Sequence, residues 1–412
     1  MADSLRPVAA EERIHALDLL RGWAMFGVLW SNLNDHYGVR DPASGLDRAL
    51  QWIQNNLIEE RFYTLLILLF GVGFGIQLTR ATAAGRDLRA TYYRRAGALL
   101  AIGIVHGTLI WRGDILTMYA LAAFALVMFR TATPRQVLVA VLVLWFLGPL
   151  LVREAMQVAG LRVMLPGNAG ETVQVYAHGS WWAIEQARVR GFLQWFGRWG
   201  LGTYVNVLAA FLLGLWTVKT GWLRRIFGEP RITRRLLLVA LILGSIGYAR
   251  WAWGDALWPR AQTPASLAPA FPYPNFQREM LRQTVFRIFT WDVLGSSLVY
   301  ACLLLLWWQR PSGQRALRPL AATGRMALTT YLTQSVVCTL LFYSYGLGWY
   351  GSVSYTGMLL ITLVLFALQM AASSWWLSRH EYGPMERLWR RLTYGSDPSR
   401  KAPANAPGPL PA

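Results

Sequence analysis

Residues 353–377 read VSYTGMLLITLVLFALQMAASSWWL, and this stretch decides the fold class because it contains no charged side chain. A helix of that length is about 38 Å long, enough to cross the roughly 30 Å hydrocarbon core of a bilayer with some tilt. The stretch lacks the strict apolar/polar alternation of a membrane β-strand. It therefore predicts a transmembrane α-helix.

Similar apolar runs recur along the 412-residue chain, of which 55% is hydrophobic and 15% charged. With a mean hydropathy of +0.32, the chain is too apolar for an ordinary soluble domain. We predict an all-α, polytopic transmembrane bundle of about ten spans, forming a single domain over residues 1–395. The expected spans are Leu17–Leu33, Phe62–Leu78, Ala96–Trp111, Ile115–Phe129, Val137–Val152, Gly200–Val218, Leu236–Trp253, Phe289–Trp308, Met326–Tyr345 and Val353–Leu377. Residues 396–412 are rich in Pro and Ala and are predicted to be a disordered cytoplasmic tail.

The distribution of basic residues predicts the orientation. The formal net charge is +19, and 25 of the 40 Lys and Arg residues fall in the inner segments if both termini are cytoplasmic. This matches the positive-inside rule, and it makes anionic membrane lipids, rather than nucleic acid, the expected partners of the basic face. The first apolar run carries Asp18 and Arg21 and lacks a small-residue cleavage site, so it is expected to remain as an anchor.

Polar side chains within apolar helices are the first candidates for function. In LDLLRG, Asp18 and Arg21 are three residues apart, which suits an intrahelical ion pair. Alternatively, Arg21 binds an anionic group of a substrate, such as a phosphate. At the other end of the same helix, SNLNDHYG contains Asn32 and His36; Asn32 either binds substrate or bridges helices, and His36 is either catalytic or a solvated loop residue.

The strongest candidate is VHGTLIWRGDIL, which contains His106, Arg112 and Asp114. A tight WRGD turn joins two apolar runs, so they are expected to form a helical hairpin. A carboxylate beside a buried imidazole orients the ring and stabilises its charged form, as a general base requires. Arg112 is a candidate for substrate binding. The alternative is that Asp114 caps the following helix while His106 hydrogen-bonds a neighbour.

Two further polar groups are ambiguous. Gln334, in ALTTYLTQS, either lines a substrate site or joins helices through hydrogen bonds. Glu59, Glu60 and Arg61 lie where the second span begins and are predicted to be a solvated cluster.

The glycine pairs and the cysteines are expected to serve packing. Gly71–Gly75 and Gly103–Gly107 have the small-xxx-small spacing of closely packed helices, and the second pair brackets His106. Cys302 and Cys338 have no metal-binding spacing, and a disulfide between them is not expected. We predict no metal site.

The ordered set of segments RIHALDLLRGWAMFGVLWSNL, RFYTLLILLFGVGF, VHGTLIWRGDILTMYA, AAFLLGLWTVKTGWL, GRMALTTYLTQS and YGPMERLWRRLTYG resembles the YeiB-like family of membrane proteins, a domain-of-unknown-function family. The resemblance runs from about Arg13 to Gly395. It implies a multi-pass protein of the bacterial inner membrane and leaves a homo-oligomer open.

The opening LDLLRG also resembles the first helix of the transmembrane acyltransferase superfamily, which includes the heparan-alpha-glucosaminide N-acetyltransferases. That resemblance implies transfer of an acyl group from cytoplasmic acyl-CoA, with acetyl-CoA as the expected donor, to an extracytoplasmic glycan, lipid or small molecule through a histidine. The acetyltransferases favour His36 as that histidine. The element HGxxxWxGDIL, shared with the YeiB-like proteins, favours His106 with Asp114.

The leading hypothesis is therefore a membrane-embedded acyltransferase. A non-catalytic transporter or flippase, in which the same buried groups line a substrate path, is the alternative. A structural or regulatory membrane partner is a third possibility.

Overall fold

The computed structural model describes residues 15–149, 151–152, 155, 169–198, 200–257 and 291–395. In these ranges every regular secondary-structure element is a helix. The β-type pairing within them is a single isolated parallel bridge between Val39 and Val353. The all-α fold class is therefore confirmed. The predicted disordered tail, residues 396–412, lies outside the described residues.

The helices are numbered here in chain order. They are α1 (His15–His36), α2 (Gly45–Ile53), α3 (Arg61–Ala83), α4 (Arg89–Leu109), α5 (Leu116–Leu126), α6 (Pro134–Phe146), α7 (Ala169–His178), α8 (Trp181–Arg198), α9 (Gly200–Lys219), α10 (Trp222–Gly228), α11 (Pro230–Leu257), α12 (Trp291–Trp308), α13 (Pro311–Ala316), α14 (Arg318–Arg325), α15 (Ala327–Phe342), α16 (Tyr355–Leu377) and α17 (Pro384–Tyr394).

Among the described residues, two helical stretches are long and apolar enough to cross a membrane, Gly45–Ala83 and Tyr355–Leu377. A third candidate is the pair Thr203–Lys219 and Trp222–Gly228, which is bent by 77°. Shorter apolar helices of 10–17 residues accompany them. The predicted fifth span, Val137–Val152, is one of these, because its helix α6 ends at Phe146. Ten spans therefore stay a prediction.

Helix α1 lies at the centre of the bundle, in contact with α3, α14, α15 and α16. Its approach to α14 depends on two glycines. A Cβ on Gly22 would lie 2.0 Å from the carbonyl oxygen of Leu320, and a Cβ on Gly324 would lie 1.8 Å from that of Asp18. Because backbone atoms cannot move aside easily, only glycine permits this contact. The contact places Asp18 against the end of α14.

Helices α3 and α9 are packed just as closely. A Cβ on Gly71 would lie 2.0 Å from the carbonyl oxygen of Phe211, and a Cβ on Gly214 would lie 2.3 Å from that of Leu68. The prediction that the glycines of α3 serve helix packing is confirmed.

Candidate functional site

His106 and Asp114 form a buried pair at the α4–α5 hairpin. The Nδ1 atom of His106 lies 2.8 Å from Oδ1 of Asp114, and the side chains are 1% and 0% exposed. A carboxylate oxygen can only accept, so Nδ1 carries the proton and Nε2 is left as the basic nitrogen. Nε2 is buried and has no hydrogen-bond partner among the described residues. This is the arrangement of an oriented general base.

Asp114 also lies two residues before helix α5 and caps its first turn. Its Oδ2 atom accepts hydrogen bonds from the backbone N–H of Thr117 at 2.8 Å and from Thr117 Oγ1 at 2.6 Å. The sequence left open whether Asp114 caps the helix or orients His106. The structure shows both, because the same carboxylate makes both sets of hydrogen bonds. Gly103 makes room for it: a Cβ there would lie 2.6 Å from the Thr117 nitrogen and 3.0 Å from Asp114 Oδ2.

The end of α4 is held by an arginine of α8. Arg188 is 2% exposed, forms a 2.7 Å ion pair with Glu185, and donates hydrogen bonds to the carbonyl oxygens of Leu109 and Ile110. The last carbonyl groups of a helix otherwise lack partners. Arg188 therefore fixes the chain where it leaves the turn of helix that carries His106.

Tyr331 connects the histidine to a cavity. Its ring centroid lies 5.1 Å from that of His106, and its hydroxyl accepts a hydrogen bond from the backbone N–H of Ile115 at 3.2 Å. Tyr331, Ile115 and Tyr119 line a cavity of about 240 Å³ in the bundle. The hydroxyl of Tyr119 is buried and, among the described residues, has no hydrogen-bond partner. His106 itself does not line the cavity, so Tyr331 lies at the contact between the two.

The opposite part of the same cavity is basic. Four arginines line it: Arg21, Arg95, Arg325 and Arg390. Asp18 lines it too, and its Oδ1 accepts a 3.0 Å hydrogen bond from Arg21. The intrahelical ion pair is therefore present, and Arg21 still faces the cavity. Arg325 donates to the carbonyl oxygen of Glu381 at 2.6 Å.

Helix α17 closes the basic part of the cavity. Oε1 of Glu386 accepts from the N–H groups of Leu328 and Thr329 at 2.7 and 3.0 Å, and Oε2 accepts from Thr329 Oγ1 at 2.6 Å. Burial raises the pKa of Glu386, although the hydrogen bonds from Thr329 oppose the shift. Trp389 donates from Nε1 to the carbonyl oxygen of Arg95 at 2.9 Å, and its ring lies 3.6 Å from the Arg95 guanidinium carbon.

The other predicted histidine lies close by. The His36 ring is 5.0 Å from the ring of Trp111, and the ring of His106 is 6.2 Å from it. Both histidines therefore contact one buried tryptophan. Arg112 lies over the ring of Tyr176 at 5.2 Å.

Two predicted residues join helices. Asn32 accepts a hydrogen bond from the Tyr63 hydroxyl, which connects α1 to α3. Gln334 donates to Gln369 Oε1 at 3.0 Å and to the carbonyl oxygen of Met25 at 3.4 Å. Neither residue lines the cavity. For both, the contacts match the helix-bridging alternative.

Arg61 was predicted to belong to a solvated cluster, but its side chain is largely buried. Its guanidinium lies 3.3 Å from Asp292 Oδ2, and the two side chains are 11% and 10% exposed. The prediction was wrong for Arg61 because the partner comes from α12, more than 200 residues away in the sequence.

Comparisons with known proteins identify the family of this chain. A family model described as "Protein of unknown function (DUF418)" matches residues 217–396. The chain is 31% identical to "Uncharacterized protein YxaH" of Bacillus subtilis (strain 168), over 95% of this chain and 96% of that protein. It is 28% identical to "Uncharacterized protein YeiB" of Escherichia coli (strain K12), over 93% and 96%. The chain belongs to the YeiB-like family.

Membership of the YeiB-like family rests on matches that extend over more than 90% of the chain. The family model covers Tyr331 and Glu386, whereas His106 and Asp114 lie before its first matched residue. No role was predicted for Tyr331 or for the cavity residues of α17. Tyr331 lies in the segment GRMALTTYLTQS, and the cavity residues of α17 lie in YGPMERLWRRLTYG. Both segments belong to the set that resembles the YeiB-like family, and this resemblance could have indicated these residues.

Proposed function

We propose that this YeiB-like protein is a membrane-embedded acyltransferase that moves an acyl group from cytoplasmic acyl-CoA to an acceptor on the other side of the membrane. One observation carries the proposal. Arginines line one part of a single cavity, and Tyr331, which contacts His106 of the His106–Asp114 pair, lines another part of it. A donor with an anionic nucleotide and a reactive thioester needs both features.

The length and charge of the cavity suit an elongated anionic donor. Leu66 and Gln77 of α3 both line it, and eleven helical residues span about 16 Å. Arginine binds phosphate oxygens through a planar fork of donors, so Arg21, Arg95 and Arg390 are the expected contacts of the nucleotide phosphates. The thioester arm would then extend along Phe70 and Leu99 toward Tyr331.

The proposed chemistry follows from the orientation of the imidazole. Nε2 of His106 takes the proton from a hydroxyl or amine of the acceptor while the acceptor oxygen or nitrogen attacks the thioester carbonyl carbon. The carbon–sulfur bond breaks, and the thiolate of coenzyme A leaves with the proton that His106 returns. Asp114 holds the Nδ1 proton and stabilises the imidazolium that forms in between.

We further propose ten spans, two cytoplasmic termini and a place in the bacterial inner membrane. Helix α16 supports the placement in a membrane, because it carries one exposed apolar stripe. The stripe consists of Leu360, Leu363, Val364 and Leu368, which are 57%, 47%, 60% and 63% exposed. A stripe of exposed leucine and valine suits contact with lipid tails. With the positive-inside bias of the sequence, the arginines of the cavity face the cytoplasm.

Donor binding gives a first test. With the full chain in nanodiscs and acetyl-CoA as the titrated probe, we expect Arg21→Gln to weaken binding by about tenfold or more, since a hydrogen bond to a charged group contributes about 1.5–3 kcal/mol. Arg224, which is exposed on α10 and does not line the cavity, provides the matched control Arg224→Gln. Equal binding by both variants would contradict the proposed donor site.

Transfer gives the second test. Label from acetyl-CoA should appear in lipids or glycans of the cell envelope, and His106→Gln should abolish transfer while leaving donor binding unchanged. Transfer that survives in both His106→Gln and His36→Gln would rule out the mechanism. Accumulation of substrate in liposomes without any donor requirement would instead support the transporter alternative.

A further inference from the structure

A second, more open groove lies beside the cavity at the arginine end of the bundle. Its volume is about 900 Å³, and it lies where the end of α12, helices α13 and α14, and the end of α16 meet the start of α1. We call it the basic groove. The residues that line it include Asp18, Trp308, Arg315, Arg318, Arg325 and Leu377.

The charges in the basic groove are unbalanced. Three arginines line it, whereas Asp18 is its one carboxylate and already accepts from Arg21. Arg315 and Arg318 are exposed, and neither has a hydrogen-bond or ion-pair partner among the described residues. The two arginines are three residues apart on short, consecutive helices, and both line the groove, so they are suitable contacts for a phosphate group.

Tryptophan side chains lie at and beside the basic groove. Trp308 and Leu377 line it, and the neighbouring Trp307 and Trp375 are 44% and 56% exposed. Tryptophan side chains at the ends of apolar helices prefer the headgroup region of a membrane. The phosphate that reaches this groove most readily is therefore one that is held at the membrane surface.

We propose that the basic groove binds the phosphate headgroup of an anionic phospholipid of the inner leaflet, with Arg315 and Arg318 as the main contacts. Basic pockets between helices on the cytoplasmic side of membrane proteins recognise such headgroups. The proposal rests on the membrane placement argued above and does not depend on acyl transfer. The lipid's acyl chains would lie against Trp308 and Leu377.

Native mass spectrometry of the full chain in detergent tests the site. We expect phosphatidylglycerol to bind more tightly than phosphatidylcholine of the same acyl chains. The double variant Arg315→Gln/Arg318→Gln should weaken phosphatidylglycerol binding by about thirtyfold, since each basic residue near an anionic surface contributes about 1 kcal/mol. The matched control is Arg234→Gln/Arg235→Gln, an exposed pair at the start of α11 that does not line the groove.

Three results would overturn the proposal. The first is equal loss of phosphatidylglycerol in both double variants, which would indicate general charge attraction. The second is equal binding of the two lipids to the unaltered chain. The third is displacement of phosphatidylglycerol by millimolar inorganic phosphate, which would make the groove a site for a soluble anion. Because both arginines are exposed, thermal unfolding of the double variant should match the control, and this separates lost binding from lost folding.

Discussion

Replacement of Asp114 by asparagine tests the central pair of the proposed site. The carboxylate is fully buried and accepts three hydrogen bonds, one from His106 Nδ1 and two from Thr117. Asparagine has nearly the same shape but keeps only one acceptor oxygen and places an NH₂ donor on the other side. The variant therefore changes the hydrogen bonding of the site without opening a cavity.

The position of the amide decides the size of the effect. If its oxygen faced His106, the NH₂ group would meet the N–H of Thr117, and a buried donor without an acceptor costs about 1–3 kcal/mol. We therefore expect the oxygen to remain with Thr117 and the NH₂ group to face Nδ1. The imidazole must then carry its proton on Nε2, where it can no longer act as a base. In a protease triad the equivalent change of tautomer lowers turnover on the order of 10⁴-fold.

The measurements are label transfer from acetyl-CoA and thermal unfolding of the purified chain. We expect Asp114→Asn to lose transfer by about three to four orders of magnitude while its free energy of unfolding falls by only about 1–3 kcal/mol. Thr117→Val removes one donor to Asp114 without changing the tautomer, so it should destabilise the chain and retain transfer. Transfer by Asp114→Asn within about tenfold of the unaltered chain would refute the role of the pair.

Three other changes have clear expected outcomes. Arg61→Leu leaves the buried carboxylate of Asp292 without its ion pair and should lower the free energy of unfolding by about 3–5 kcal/mol, whereas leucine at both positions should cost less; an equal loss in the double variant would contradict this. Gly71→Ala should cost about 1–3 kcal/mol because its Cβ meets backbone, while Gly97→Ala, with no atom within 4 Å, should raise helix stability by up to about 1 kcal/mol. Burial raises the pKa of Glu386, so its contribution to stability is full at low pH and is lost as the pH rises through the folded-state pKa. Glu386→Gln should remove that part of the pH dependence, which thermal unfolding between about pH 4 and 7 would detect; an unchanged profile would contradict it.

The apolar periodicity predicted the helices better than it predicted the spans. Val353–Leu377 differs from α16 by two residues at its start, and Leu17–Leu33 lies inside α1. The spans are harder to recognise because α1 and α4 carry ionisable groups that are buried within the bundle, and these groups lower the hydropathy of the two helices. The glycine spacing predicted the helix packing correctly, because two backbones can approach closely only where each helix carries small residues at regular spacing.

The candidate site could be predicted where its parts are neighbours in the sequence. Asp18 with Arg21 and His106 with Asp114 are separated by three and eight residues, so a helix or a hairpin brings each pair together. The contact from Ile115 to Tyr331 spans 216 residues, and that from Glu386 to Thr329 spans 57. Those contacts depend on how distant helices pack, which a single sequence does not specify.

The geometry also bears on the choice between the two histidines. His36 is fifteen residues beyond Arg21 on α1, about 22 Å along the helix, whereas the cavity extends about 16 Å along α3. Among the described residues, His106 has a hydrogen-bonded carboxylate and contacts Tyr331 at the cavity wall, and His36 has neither. A donor bound by the arginines would therefore meet the surroundings of His106 before it reached His36. Trp111 contacts both rings, so in the proposed acyltransferase His36 would be placed to contact the acceptor rather than to activate it.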